Sequence, residues 1–467
     1  MPPSITRTMR RILTSSLFLV AACTTQPQYQ RPAVELPAAW KETAPRYAED
    51  GRWWRIYQDA ELDGVVEESL KGNADLLVAA ARVDEARALL GEVQAGFYPT
   101  VDARGSASRQ RNSQRTANAF PGVPNQYNDY RATLNVSYEP DLFGRLRAGA
   151  DAARAELQAN EASRNGVRLA LAAQVAKSYF ALRALDEQVA LTRRTVELRE
   201  EALALQRKRF NGGVISEFEL RQLEAEAAAV RAQLPPLERD REREEAALAV
   251  LLGRTPKQVF ESAVTIKVAF DEKPEAIVVP SGLPSELLLR RPDLVEAERH
   301  LAAANARIAV ARREIFPSIA LTGFLGRESA SLSDLFTGPA ALWQVAAALT
   351  QPIFAGGRLE ARTDAAKARE RIALAQYQKA IQSAFSEVRT AIAAQTRSRE
   401  SYEAESARAA ALGETLRLAR LRYANGISSQ LDVLDAERGL LAARSARIEA
   451  LRAYRSAIAD LFRALGG

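Results

Sequence analysis

The chain has 467 residues, 47% of them apolar and 26% charged, which is enough to bury a sizeable core and too apolar for disorder. A single cysteine excludes structural disulfides and four-cysteine zinc or iron–sulfur sites, and a single histidine argues against His-based metal sites and Ser/His chemistry. The formal charge of +6 falls to about +3 without residues 1–22, and the remaining charges are interspersed, which argues against nucleic acid as a partner.

At the N-terminus, Arg7, Arg10 and Arg11 precede the short apolar run Ile12–Ala22. That run is too short to span a bilayer and has the charged-then-apolar shape of a secretory signal, so residues 1–22 are expected to be a signal peptide. It ends in Val-Ala-Ala-Cys, which resembles a bacterial lipobox and marks Cys23 as the lipidated first residue of an exported protein. Thr24, rather than Asp, follows the cysteine and favours the outer over the inner membrane by analogy with bacterial lipoproteins. No other stretch holds eighteen consecutive apolar residues, so any membrane span must be built from strands.

After the segment 23–72 the sequence repeats itself, with 73–253 and 291–467 as the two copies and 254–290 between them. Asp75–Pro99 aligns with Asp293–Pro317. RLRAGADAARA from Arg145 matches RLEARTDAAKA from Arg358, RFNGGVISEFEL from Arg209 matches RYANGISSQLDV from Arg422, and LAVLLG ending at Gly253 matches LFRALG ending at Gly466. The last three matches share an offset of 213. Each copy reads helix, strand pair, very long helix, tight turn, helix. Arg145–Phe210 and Arg358–Tyr423 keep helical apolar spacing over about 65 residues, or about 100 Å. Both long helices are expected to stop at glycine-bearing turns, Asn211-Gly212-Gly213 and Asn425-Gly426, with Ser216 and either Ser428 or Ser429 capping the returning helices. Pro235-Pro236 is expected to interrupt and kink the first returning helix; Ile448-Glu449 stands there in the second.

The strand pairs fall near 100–140 and 317–352. Tyr130, Ala132, Leu134, Val136 and Tyr138 alternate with Arg131, Thr133, Asn135, Ser137 and Glu139, and Trp343, Val345, Ala347 and Leu349 alternate with Gln344, Ala346, Ala348 and Thr350. Segments of about ten residues with one apolar face fit outer-membrane strands, and the linkers Arg111–Asp129 and Arg327–Ala341 have the polar or Gly/Pro/Ser-rich character of extracellular loops. Four strands cannot close a barrel, and an open edge in lipid leaves backbone groups unsatisfied, so the chain must oligomerise through its strands. Two, three or four copies would all close a barrel. His300 reads as a surface or seam residue. Asp432 and Asp435 lack an accompanying nucleophile or metal cluster, so an enzyme is rejected.

Several segments together resemble the TolC family of outer-membrane efflux proteins, in its lipoprotein branch, over essentially the whole mature chain. They are Cys23 with PQYQRPAVELPAAW from Pro27, WWRIYQDAELDGVVEESLKGNADLLVAAARVDEARA from Trp53, and YEPDLFGRLR from Tyr138. The others are RRPDLVEAERHLAAANARIAVARREIFPSIALTG from Arg290, QPIFAGGRL from Gln351 and RYANGISSQLDVLDAER from Arg422. The resemblance implies a mainly α fold with a membrane β-barrel: a homotrimer whose twelve-stranded barrel in outer-membrane lipid continues into a periplasmic α-helical barrel. It places an equatorial collar at roughly 24–72, 254–290 and the C-terminal end. The implied role is a passive exit duct without cofactor, served by a periplasmic adaptor protein and an inner-membrane RND transporter. It also implies adaptor docking at the tips (Asn211, Gly212, Gly213, Val214, Ser216; Asn425, Gly426, Ile427, Ser429) and a periplasmic gate at Leu431, Asp435 and Arg438. The three gate residues are spaced i, i+4, i+7 along one helical stripe. A duct for type I protein secretion or metal efflux is the alternative. A trimeric adhesin, the rival of another class, would place its strands consecutively at the C-terminus rather than in two separated pairs.

Overall fold

A computed structural model of the chain describes residues 30–32, 51–113, 115, 126–261 and 284–467; Cys23 and most of the 254–290 linker lie outside them. The chain divides into two compact units. One contains Val83–Asn160 and Ala297–Tyr377 with residues 30–32; the other contains the described parts of 34–82, Glu161–Glu296 and Gln378–Gly467. In chain order the elements are a 3-10 turn Trp53–Tyr57, α1 Ala60–Gly72, α2 Ala74–Ala95, β1 Thr100–Arg111 and β2 Gln126–Tyr138. Then come α3 Arg145–Asn211, α4 Glu217–Leu251, α5 Pro256–Glu261, α6 Pro284–Arg290 and α7 Pro292–Arg313. The chain ends with β3 Ser318–Ser329, β4 Ala341–Thr350, α8 Arg358–Ala424 and α9 Gln430–Leu465.

In the first unit the two strand pairs join in one antiparallel sheet of order β1-β2-β3-β4, leaving β1 and β4 as edges. The register decides what the sheet offers. Val101, Val136, Gly323 and Val345 stand in one row, and Ala103, Leu134, Leu325 and Trp343 in the next, so the apolar positions of all four strands share one face. Trp343 and Val345 are 78% and 80% exposed on it. Across β1 and β2 the opposite face is polar and hydrogen-bonded: Asn135 Nδ2 donates to Asp102 Oδ2 at 3.2 Å, and the Thr100 and Ser137 hydroxyls lie 2.8 Å apart. Gly326 lets β2 and β3 approach; a Cβ there would meet the Ala132 carbonyl oxygen at 2.2 Å. β1 and β2 extend further than the alternation alone marks, to Arg111 and from Gln126, because backbone pairing continues through polar residues. Near the start of α7, the buried Glu298 accepts from Arg31 Nε at 2.8 Å.

In the second unit the core gathers Trp53, Trp54, Leu62, Val66, Tyr179, Phe180, Leu248, Tyr454 and Phe462. Trp53 stacks on Phe462 with centroids 5.4 Å apart, joining the 3-10 turn to α9. Asp59 caps α1 through Glu61 N and Leu62 N, while its second oxygen accepts from the Tyr179 hydroxyl at 2.8 Å and from Arg183 at 2.7 Å. Both ion-pair partners are nearly fully buried. Removing either one would strand a buried charge, at a cost of about 3–5 kcal/mol.

The proline pair does not interrupt the helix as its sequence suggests. α4 runs unbroken from Glu217 to Leu251 with Pro235 and Pro236 inside it. The two prolines leave the carbonyls of Arg231 and Ala232 without their helical N–H partners. Both residues are exposed, so water can take those carbonyls and the helix need not end.

Candidate functional site

The two tight turns are near copies. α3 ends at Asn211 and α8 at Ala424, after which Gly213 and Gly426 both take φ 70°, where only glycine is unstrained. Val214 N donates to Arg209 O and Ile427 N to Arg422 O, each at 2.9 Å, closing both helices with the same bond pattern. Ser216 and Ser429 then cap α4 and α9 in reciprocal capping boxes with Glu219 and Asp432. Of the two candidate caps in the second turn, Ser429 is therefore the one used. Asp432 is committed to this cap and so is not the free partner of Asp435 that its spacing suggests.

Hydrogen bonding holds the turns rigid while their apolar side chains stay outside. Val214 is 63% and Ile427 67% exposed. Phe218, at 76%, adds a third apolar side chain that sequence reasoning missed. The signal was present: Phe218 lies off the i, i+3, i+7 stripe of Leu220, Leu223 and Ala227 that packs α4 into its neighbours.

On α9, Val433, Ala436 and Leu440 pack with Leu416 of α8, while Leu434 packs with Leu203, Leu220 and Leu223. Leu431, Asp435 and Arg438 are left together on the exposed stripe, as the i, i+4, i+7 spacing requires. Arg438 Nη1 lies 3.5 Å from Asp435, and Nη2 donates at 2.6 Å to Glu226 of α4. The adjacent Glu437, absent from the sequence-derived set, accepts from the buried Arg199 of α3 at 2.9 Å and from Arg420 of α8 at 2.8 Å. Two consecutive residues of α9 thus tie it to all three other long helices. The Arg438 pairs are exposed and individually weak, whereas the Glu437 pair is anchored by the buried Arg199 and costs more to break.

His300 sits on α7 with its Nδ1 3.1 Å from Glu156, which Arg307 also reaches at 2.8 Å. The His300 hydrogen bond, followed by the nearby Arg307 charge, holds the Glu156 carboxyl below its ordinary range against the opposing effect of burial. The arrangement is an inter-helix seam. Among the described residues no group of His, Cys, Asp and Glu is placed to hold a metal ion, and no helix is long and apolar enough to cross a membrane.

The family model described as outer membrane efflux protein matches residues 65–254 and 283–467. A probable efflux pump outer membrane protein of Pseudomonas putida, TtgC, is 36% identical over 470 residues, covering 97% of this chain and 94% of its own. The cation efflux system protein CusC of Escherichia coli is 31% identical over 455 residues, covering 96% of this chain and 97% of its own. Among solved structures, the Campylobacter jejuni CmeC outer membrane channel superposes with a TM-score of 0.86 at 26% identity, covering 95% of this chain and 94% of its own. The open state of the Neisseria gonorrhoeae MtrE outer membrane channel gives 0.83 at 34% identity, covering 95% and 98%.

Proposed function

The chain belongs to the outer membrane efflux protein family, and from that premise we propose that it is the exit duct of a tripartite RND-type multidrug efflux pump. It passes substrates from periplasm to exterior without catalysis of its own. The observation that carries this reading is the four-stranded sheet with one continuous apolar face and two unpaired edges. In lipid such edges are too costly to leave open, so the sheet closes only with copies of itself. Three copies give a twelve-stranded barrel, and α3, α4, α8 and α9 of each copy give a twelve-helix periplasmic barrel. The matched 67-residue lengths of α3 and α8 support an internal two-fold repeat.

In this reading Cys23 carries the lipid anchor, and 1–22, 23–72, 73–253, 254–290 and 291–467 are signal, anchored segment, first repeat, equatorial linker and second repeat. The exposed apolar turns, Asn211–Ser216 and Asn425–Ser429, dock a periplasmic adaptor that links the duct to the inner-membrane transporter. Leu431, Asp435 and Arg438 narrow the periplasmic entrance. The family includes relatives named for antibiotic, toluene and cation efflux, and the pump rather than the duct selects among such cargoes.

Light scattering on the detergent-solubilised protein should give about 150 kDa of polypeptide, three times the chain's 51.1 kDa. The same preparation should form pores in planar bilayers. A monodisperse monomer without conductance would overturn the reading.

A further inference from the structure

The two hairpins of the sheet share one register. The helices before the strands match at a shift of 218 positions and those after them at 213. Moving β1 by the first shift and β2 by the second turns the pairs Thr100–Ser137 and Gly105–Ala132 into Ser318–Thr350 and Gly323–Val345, both of which are observed. Between the hairpins, β2 pairs with β3 in an inner joint, while β1 and β4 are left as edges. The inner joint therefore shows what the two edges would make if β4 met a β1.

The joint continues past the strands into the connections that lead to the helices. Phe143, between β2 and α3, stacks on Phe316, between α7 and β3, with centroids 5.2 Å apart and planes 5° from parallel. Arg313 Nη1 donates to the Gly144 carbonyl oxygen and Arg145 Nη2 to Glu139, each at 2.7 Å. Gly144 and its match Gly357 take φ 77° and 79°, so both connections turn alike into their long helices. At the edges the corresponding places are bare. Ile353 and Phe354, between β4 and α8, are both 90% exposed, and Tyr98, the match of Phe316 just before β1, is 70% exposed. Ala95 stands where Arg313 would, and Pro352 where Glu139 would, so apolar contact is what these places offer.

We propose that β4 of one copy pairs with β1 of the next in the register of the inner joint, and that Ile353 and Phe354 pack on Tyr98 across the same seam. Carrying Leu134–Leu325 and Asn135–Phe324 over by the two shifts sets Ala347 opposite Ala107, and Ala348 opposite Ser106, of the next copy. The apolar face then runs unbroken across the boundary, whereas a slip of one residue would set Val345 and Leu349 on the polar side. Closing a barrel links strand tilt to stagger, so a seam out of step with β2–β3 would break the stagger each copy already holds. The inference rests on the reading of this sheet as part of an outer-membrane barrel and deepens it by fixing how the copies join.

Cysteine pairs in the full-length protein, oxidised in outer membranes and resolved on denaturing gels without reductant, read the register. Directly opposite Cβ atoms lie about 4.5–5.5 Å apart and diagonal ones about 7–8 Å, while a disulfide needs about 3.5–4.5 Å. Two in-register pairs are made, Ala107→Cys with Ala347→Cys and Ser106→Cys with Ala348→Cys, because only one face of an antiparallel ladder holds the closer pairs. The better of them should give covalent trimer at about fivefold or more the yield of pairs slipped by two residues, Gly105→Cys or Arg109→Cys with Ala347→Cys. Each single variant, with Cys23 present throughout, should give none. Tyr98→Ala and Phe354→Ala should each lower the temperature at which the trimer dissociates, and the double variant should lose less than the sum. A slipped pair that cross-links best overturns the register, and strictly additive losses at 98 and 354 overturn the contact. If the wild-type protein is neither trimeric nor pore-forming, the duct reading itself has failed. A conducting trimer in which neither in-register pair cross-links sinks only this seam.

Discussion

α4 and α9 begin alike and then diverge. Both follow a glycine turn, both are capped by serine in a reciprocal box, and they run for 35 and 36 residues. Yet α9 buries residues along its whole length, from Val433 to Leu465, whereas α4 buries none between Val230 and Leu248. Through that stretch α4 is held to α3 by polar pairs: Arg231 to Glu200, Glu238 to Arg193 at 2.5 Å, Arg241 to Asp186 at 2.6 Å, and Glu244 to Ser178 at 2.6 Å. The proline pair sits in this polar stretch, where lost helical bonds can be hydrated. Repeated sequence therefore fixes the hairpin and its turn without fixing what holds the hairpin shut, apolar burial in one copy and a ladder of charges in the other.

The sharpest way to break the comparison is at matched positions. Tyr454 of α9 corresponds to Arg241 of α4 at the 213-residue offset. Tyr454 is 2% exposed, so Tyr454→Ala should cost about 3–5 kcal/mol. Arg241→Ala, which removes partly exposed ion pairs, should cost about 1 kcal/mol. Thermal unfolding followed by circular dichroism checks both, and equal losses would erase the distinction.

Restoring the missing backbone bonds should come next in size. Pro235→Ala with Pro236→Ala lets two N–H groups reach the carbonyls of Arg231 and Ala232, each proline having cost about 3 kcal/mol of local helix stability. Hydrogen exchange across 231–247 should slow by at least tenfold while α9 is unchanged.

Opening the clasp between the two helices is a smaller effect. Glu226→Gln removes the charge that Arg438 reaches at 2.6 Å, an exposed pair worth about 0.5–1 kcal/mol. If α9 closes the entrance, single-channel conductance should rise modestly. Leu431→Ala with Asp435→Ala should raise it further, and lower the preference for cations. Salt should act in the same sense on the ladder itself. Going from about 0.1 M to about 1 M shortens the Debye length from about 10 Å to about 3 Å, so exchange in 231–244 should speed up severalfold and exchange in α9 should not.

The smallest expected effect is acid sensitivity at the α3–α7 seam. The Glu156 carboxyl is held low, so its contribution is fully present above the ordinary glutamate range near 4.5 and is lost as pH falls through the lower folded-state value. Glu156→Gln should lower stability at pH 7, where that contribution is fully present, and flatten its pH dependence below about pH 4.5.

Much of this was legible in the sequence. The long helices α3 and α8 end within one residue of where their periodicity stops, because a 67-residue amphipathic pattern closed by glycine admits no other reading. The i, i+4, i+7 stripe of Leu431, Asp435 and Arg438 was equally readable, since a face follows from spacing alone. Their partners were not. Glu226 stands 212 positions from Arg438, and nothing local selects it over the other acids of α4. The polar ends of β1 and β2 were also hidden, because a ladder of backbone bonds does not depend on which side chains it carries.

The joint between β2 and β3 bears on time as well as shape. Tyr138 pairs with Leu321, and all of α3 and α4 lies between them in the chain. Hairpins and helices form in microseconds, but a pairing this remote has to wait for both halves to be present and pays loop closure first. Until then the β1–β2 hairpin must cross the periplasm with its apolar face and both its edges bare. Assembly is therefore a race between finding its own second hairpin and pairing with a stranger's.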